Sequence, residues 1–328
     1  MYLQPNSETF VKKKFFYLLL KIGIGVLSFW VIYSKLNEPE SKENFKILIQ
    51  QFSDLSNLIF FSFIVLLLFL NWGIESKKWQ LLVQETQTIS FLTALSSVFA
   101  GICVGNLTPG RAGEFIGKIF FFKPEVRGKI TFLHFVNGLT QLMITSVGGI
   151  VAILFWLIKD FSQVGAHGIV LILSALFTLV LFLLYFNIDF VIRKVSSFKL
   201  FSSLNLVDLK IERKILNKLL ALSLLRYAVF CFQYISLLLI LGVNTPFSKL
   251  ILPVMISFLL TSAIPMISFI EAAIRSAIAL LVFEGLIENS VLLITAATLI
   301  WVINIVIPSV IGYVILFRRK FEFKRSDG

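Results

Sequence analysis

Apolar residues along this chain fall into separated runs, each close to the length that crosses a bilayer. A span needs about 20 such residues at ~1.5 Å rise each. The runs at 15–34, 58–74, 131–158, 168–188, 219–242 and 291–317 read as full spans. A polar stretch, 35–57, and a basic, partly amphipathic loop, 189–218, separate some of them. Two further apolar segments, 88–123 and 250–284, are broken at Pro109 and Pro265. The pattern predicts an all-α polytopic membrane protein forming one transmembrane domain over 1–328. It has about six full spans plus two re-entrant or broken helical hairpins.

Composition sharpens this picture. The chain is 58% hydrophobic with only 15% charged residues, well below the ~25% of a soluble domain. Runs without strict alternation argue against transmembrane β-strands. The net charge of +12 would suggest nucleic acid in a soluble protein. Here the basic residues gather at span ends, which points to orientation and anionic headgroups instead. Lys12, Lys13 and Lys14 precede the first run with no small-residue cleavage site behind it, so that run is expected to stay as a span. The two cysteines and two histidines have neither disulfide nor metal-ligand spacing. No metal or cofactor is expected.

Charge distribution then sets the topology. With both termini, the Lys77 region, the 111–129 region and the 189–218 loop on the cytoplasmic side, that side carries 22 Lys and Arg against 5 opposite. Lys77–Lys78 and Arg111–Lys129 then share a side, so segment 88–123 must enter and return. Segment 250–284 lies between two external loops and must do the same from the other face. The two are expected in an inverted arrangement. Non-helical backbone at membrane depth survives only when buried in protein or lining a cavity, so the broken segments should meet inside the bundle.

Both broken segments carry a proline, then a glutamate, then a base four residues later. The first reads Pro109, Gly110, Arg111, Glu114, Lys118; the second Pro265, Glu271, Arg275. Glu four residues before Lys or Arg is the favoured ion-pair order on a helix. Pro109, Gly110 and Pro265 are expected at half-helix starts, where a missing N–H costs nothing. A half-helix N-terminus inside the membrane favours an anion. Arg111, Lys118 and Arg275 would add full positive charge, and Glu114 and Glu271 would orient them or bind a cationic headgroup. The alternative, a plain interfacial salt bridge, weighs equally for Glu114–Lys118. It weighs less for Glu271–Arg275, which sits in an apolar run where each charge costs about 2.5–3.5 kcal/mol. Asn106 and Arg226 are candidates for the cavity wall, although Arg226 is near enough to Lys218 to snorkel to the interface. His134 and Asn137 read as a buried polar pair, and Gln141 and Gln233 as interhelical hydrogen-bond partners.

The stretch Asn106-Leu107-Thr108-Pro109-Gly110-Arg111-Ala112-Gly113-Glu114 resembles the first signature of the lysylphosphatidylglycerol synthase transmembrane, flippase-like family. The Pro265 to Glu271 stretch resembles its second signature, with Met266–Ile270 where relatives carry a glycine-rich turn. The order of elements matches over about 14–317. The best-known members fuse this domain to a soluble aminoacyl-transferase. Here the chain runs only from Phe317 to Gly328 after its last expected span, so the resemblance implies the translocating half and no enzyme activity. It implies translocation or binding of an anionic, aminoacylated or polyprenyl-linked lipid, in the cell membrane. Membrane lipids are the expected partners, joined by a lipid-modifying enzyme where relatives act in such pathways. Two other readings are a membrane-embedded lipid-modifying enzyme using Glu114 and Glu271 as acid and base, and a non-transporting scaffold.

Overall fold

The computed structural model describes residues 53–108, 111–159, 164–264 and 268–318, together with isolated positions before residue 53. The expected span at 15–34 lies outside the described residues but for Trp30 and Tyr33. The described residues are all helical or connecting, with no strand among them.

Helix α1 (Leu55–Val83) opens on Asp54, whose carboxylate accepts the Ser56 backbone N–H at 2.9 Å. It does not stop where its apolar run stops. Glu75 and Lys78 sit one turn apart and pair, so the charges are satisfied within the helix and it continues to Val83. Helix α2 (Phe91–Asn106) begins at Ser90, whose hydroxyl accepts from Thr93 N at 3.1 Å. The short α3 (Glu114–Ile119) then packs back against α2 in the antiparallel sense: Gly105 lies beside Glu114, and Gly101 beside Lys118. Only glycine permits this approach. A Cβ on Gly117 would lie 2.4 Å from the Ala100 carbonyl oxygen. The weakly apolar, small-residue character of 88–107 is therefore the signature of a tight hairpin.

A 3-10 turn (Pro124–Val126) leads into α4 (Arg127–Lys159). Helix α5 (Val164–Phe186) is followed by α6 (Ile188–Ser197), bent by 82° from the Leu171–Phe186 stretch. Helix α6 is amphipathic: it buries Ile188 and Ile192 and exposes Arg193 and Lys194. Helix α7 (Arg213–Ile240) runs through the bundle beside α1 and α4. Helix α8 (Phe247–Ala263) and α9 (Ser268–Val282) form the second hairpin. Their outer ends are joined where the Thr245 hydroxyl donates to the Leu286 carbonyl at 3.5 Å. Helix α10 (Ser290–Trp301) passes through a π-helical turn (Val302–Val306) into α11 (Ile307–Arg318). Pro308 explains the turn: it has no N–H for the carbonyl four residues earlier, so the ladder widens just before it.

Four helices are long and apolar enough to cross a membrane among the described residues, or five if the bent α5–α6 pair counts as one. The helices at 91–106 and 247–263 are shorter. The outer faces carry the rest of the argument. On α1, Ile59, Phe60, Phe63, Leu66 and Phe69 are exposed; on α5, Ile172, Leu173, Leu176, Leu179 and Leu183 are exposed. Apolar bands of this extent do not face water on a soluble monomer, whereas lipid solvates them.

Inside, polar residues bridge helices. Asn304 in the π-turn donates to Gln233 on α7 at 2.9 Å and accepts from Asn71 on α1 at 3.4 Å. Gln233 in turn donates to the Ile64 carbonyl at 2.8 Å. Glycine sets one further contact. A Cβ on Gly312 of α11 would fall 2.0 Å from the Phe99 carbonyl oxygen, whereas Gly138 has open space around it. Gly312→Ala should therefore lower stability by about 1–3 kcal/mol through overpacking against backbone. Gly138→Ala should stay within ~0.5 kcal/mol of the parent. Thermal unfolding of the two purified variants checks the contrast, and equal melting would contradict it.

Candidate functional site

The long helices meet around a cavity of about 430 Å³ near their midpoints. Arg226 stands 13 residues from the start of α7 and 14 from its end, so it lies roughly 20 Å from either terminus. Gln141 and Thr145 sit mid-way along α4, and Trp301 and Asn304 at the α10 to π-turn junction. The broken hairpins complete the wall. Arg111 comes from the α2–α3 connection, Ile264 from the end of α8, and Glu271 and Arg275 from the first two turns of α9. Arg111, Glu271 and Arg275 of the broken segments thus end up at the cavity.

Arg226 is the most constrained of these groups. Its guanidinium carbon lies 4.7 Å from the Trp72 ring centroid and 4.8 Å from that of Phe230, within cation–π range of both. One terminal nitrogen, Nη1, reaches the Glu75 carboxylate at 3.5 Å and donates to the Gln141 side-chain oxygen at 3.4 Å. The residue is only 7% exposed, and its Nε–H has no partner. The guanidinium is thus fixed in plane with a donor unspent. Snorkelling to the interface is excluded by these contacts.

On the opposite wall Arg275 donates through Nη2 and Nε to the same Glu271 oxygen, at 2.7 and 3.2 Å. The second Glu271 oxygen makes no hydrogen bond of good geometry, although the Trp301 indole is near Glu271. Arg111 has no carboxylate within ion-pair distance among the described residues, and its Nε is buried without a partner. It lies within electrostatic reach of Glu114, Glu271 and Arg226. Its backbone adopts φ 57°, a left-handed conformation that costs an L-residue about 1–2 kcal/mol. Strain of this kind persists where the surroundings over-determine it, and it clusters at ligand clamps and active sites.

The remaining expected site residues are placed differently. Glu114 and Lys118 pair at 3.0 Å, yet neither lines the cavity. Lys118 is fully buried, lies 4.9 Å from the Trp79 ring centroid and donates to His134 Nδ1 at 3.2 Å. A lysine ammonium only donates, so that imidazole nitrogen accepts. Asn106 is also outside the wall; its amide donates to Ser309 on α11 at 2.5 Å. Pro109, Gly110 and Pro265 lie outside the described residues. The helix after Pro109 begins at Glu114 and not on its proline, and the described part of α9 runs from Ser268. The expectation for the first hairpin is corrected further. Thr108 closes its turn by accepting the Gly113 N–H at 2.7 Å, which delays the helix.

One central residue was absent from the expectation. Glu75, buried on α1, binds Lys78 at 3.2 Å, Arg226 at 3.5 Å and the Asn137 amide at 2.5 Å. Lys78, read as part of a charged span end, is wholly buried. The clue was local. Trp72, Glu75, Lys78 and Trp79 are spaced to continue the apolar helix rather than end it. His134 and Asn137 do not pair with each other; they serve Lys118 and Glu75 respectively.

Chemically, the wall presents three guanidinium groups, one carboxylate and aromatic surface from Trp72, Tyr227, Phe230 and Phe258. Arginine forks match phosphate and carboxylate oxygens bidentately. No group of three or more His, Cys, Asp or Glu residues able to hold a metal occurs among the described residues.

A helical bundle with apolar outer bands and a charged pocket at mid-length is a multi-pass membrane protein. The chain belongs to the family described as the lysylphosphatidylglycerol synthase TM region, whose profile matches residues 18–312. The family links it to lipid handling. No curated protein matches the chain significantly.

Proposed function

We propose that this protein is flippase-like: it binds the headgroup of an anionic lipid in the central cavity and carries it between leaflets. The observation that carries the reading is the convergence of Arg111, Arg226 and Arg275, two of them with unspent donors, around one cavity half-way along the bundle. A phosphate taken there would exchange water for charge-assisted hydrogen bonds worth about 1.5–3 kcal/mol each. That offsets the cost of bringing its charge to mid-depth.

The topology that serves this function has six full spans, with the α2–α3 and α8–α9 hairpins dipping into the membrane from opposite faces. Both termini are cytoplasmic, and the membrane is the cell membrane. The helices at 91–106 and 247–263 support the hairpins, because each is shorter than a span and is followed by a break and a returning partner. In this scheme the lipid, aminoacylated or polyprenyl-linked lipids included, supplies the anionic phosphate. Glu114 and Lys118 brace the hairpin rather than touch the headgroup.

The test is translocation of a fluorescent phospholipid in proteoliposomes. Arg111→Gln together with Arg275→Gln should slow it at least about tenfold, the loss of one charge-assisted contact. Unchanged rates in a variant with parental melting behaviour would remove the cavity from the mechanism.

A further inference from the structure

Resting on the headgroup reading above, we infer that the cavity selects a dianionic headgroup, a phosphomonoester or diphosphate, over a phosphodiester or an aminoacylated one. The argument is a balance of fixed charge. Around the cavity and the network behind it stand five bases, Arg111, Arg226, Arg275, Lys78 and Lys118, and three acids, Glu75, Glu114 and Glu271. Lys118 and Glu114 pair with each other. Glu75 is shared by Lys78 and Arg226. Glu271 contacts Arg275 and lies within reach of Arg111. Two carboxylates each answer to two cations, which leaves two positive charges uncompensated among the described residues.

Geometry agrees with the count. Three guanidinium groups reach the cavity from three directions: α7, α9 and the α2–α3 connection. A phosphomonoester offers three terminal oxygens and about −1.5 to −2 charges at neutral pH. A phosphodiester offers two such oxygens and a single charge. An aminoacylated phosphodiester adds a cation, which three arginines repel. Among the described residues, the second oxygen of Glu271 and the Tyr227 hydroxyl are open acceptors on the wall, and they suit a hydroxyl donor next to the phosphate. The volume of about 430 Å³ is near the low end for ligand pockets, enough for a headgroup.

The experiment is a binding titration of the purified full chain with short-chain lipids that share the same acyl groups. The probes are dihexanoyl phosphatidic acid, dihexanoyl phosphatidylglycerol and its lysyl ester, with inorganic phosphate and pyrophosphate alongside. The monoester should bind about ten- to a hundredfold tighter than the diester, with the lysyl ester weakest. In Arg275→Gln the monoester-to-diester ratio should fall towards one. Equal or tighter binding of the diester or the lysyl ester overturns the dianion inference and leaves the lipid-headgroup reading standing. Inorganic phosphate binding as tightly as the lipid monoester upholds dianion recognition and overturns the lipid reading. Failure of every probe overturns both. The comparison among probes uses the parent protein, so it does not depend on how any variant folds.

Discussion

Replacing Glu75 by alanine should destabilise the bundle by about 3–5 kcal/mol, the cost of leaving buried charge unpaired. The carboxylate faces Lys78, which is wholly buried, and Arg226, which is nearly so. Its removal strands both cations and also orphans the Asn137 amide. Lys78 has no exposed surface, and among the described residues no second carboxylate lies within ion-pair distance of it. Removing the whole pair is a different matter. Glu75→Gln with Lys78→Met takes away two of the three desolvated charges, and it should recover part of the loss, Arg226 keeping only Gln141 and the Trp72 and Phe230 rings. Thermal unfolding of the detergent-purified proteins measures this. A Glu75→Ala protein that melts with the parent would mean the charges find water, and the buried network would not exist as described.

On the proposed flippase mechanism, Arg226→Lys should abolish at least about nine-tenths of lipid translocation although the charge is kept. The guanidinium owes its position to two rings, Trp72 and Phe230, and to planar donors aimed at Glu75 and Gln141. A lysine ammonium is compact and strongly hydrated, and it cannot hold the fork geometry proposed to take a phosphate. Its stability cost should be smaller than that of Glu75→Ala, because Glu75 keeps Lys78 as partner. Translocation and melting are therefore expected to separate in this variant. Parental transport in Arg226→Lys would show that only net charge matters at this position.

Two of the proposed contacts rest on four-residue spacing that was visible in the chain. Glu114 with Lys118, and Glu271 with Arg275, could be paired from spacing alone, because a helix places residues four apart on one face. Their fates could not. The first pair turns towards His134 and Trp79, away from the cavity, while the second lines it. The spacing is the same, but the hairpins present their faces to different neighbours. Asn106 fails for the same reason: a polar residue at a helix end was expected in the cavity wall and instead ties α2 to α11.

The amino-acid sequence by itself determined that this is a helical membrane protein with interrupted segments rich in paired charge. Those properties follow from local periodicity, from the cost of exposing backbone to lipid and from the bias of basic residues. Tertiary structure alone decided which charges share a cavity. Arg226 and Glu271, cavity candidates in the sequence, and Glu75, unmarked there, are distant along the chain, and only packing shows that Arg226 and Glu271 line one cavity while Glu75 holds Arg226 from behind it. A buried charge must find a partner wherever the fold offers one, and which helix supplies it depends on contacts made across the bundle.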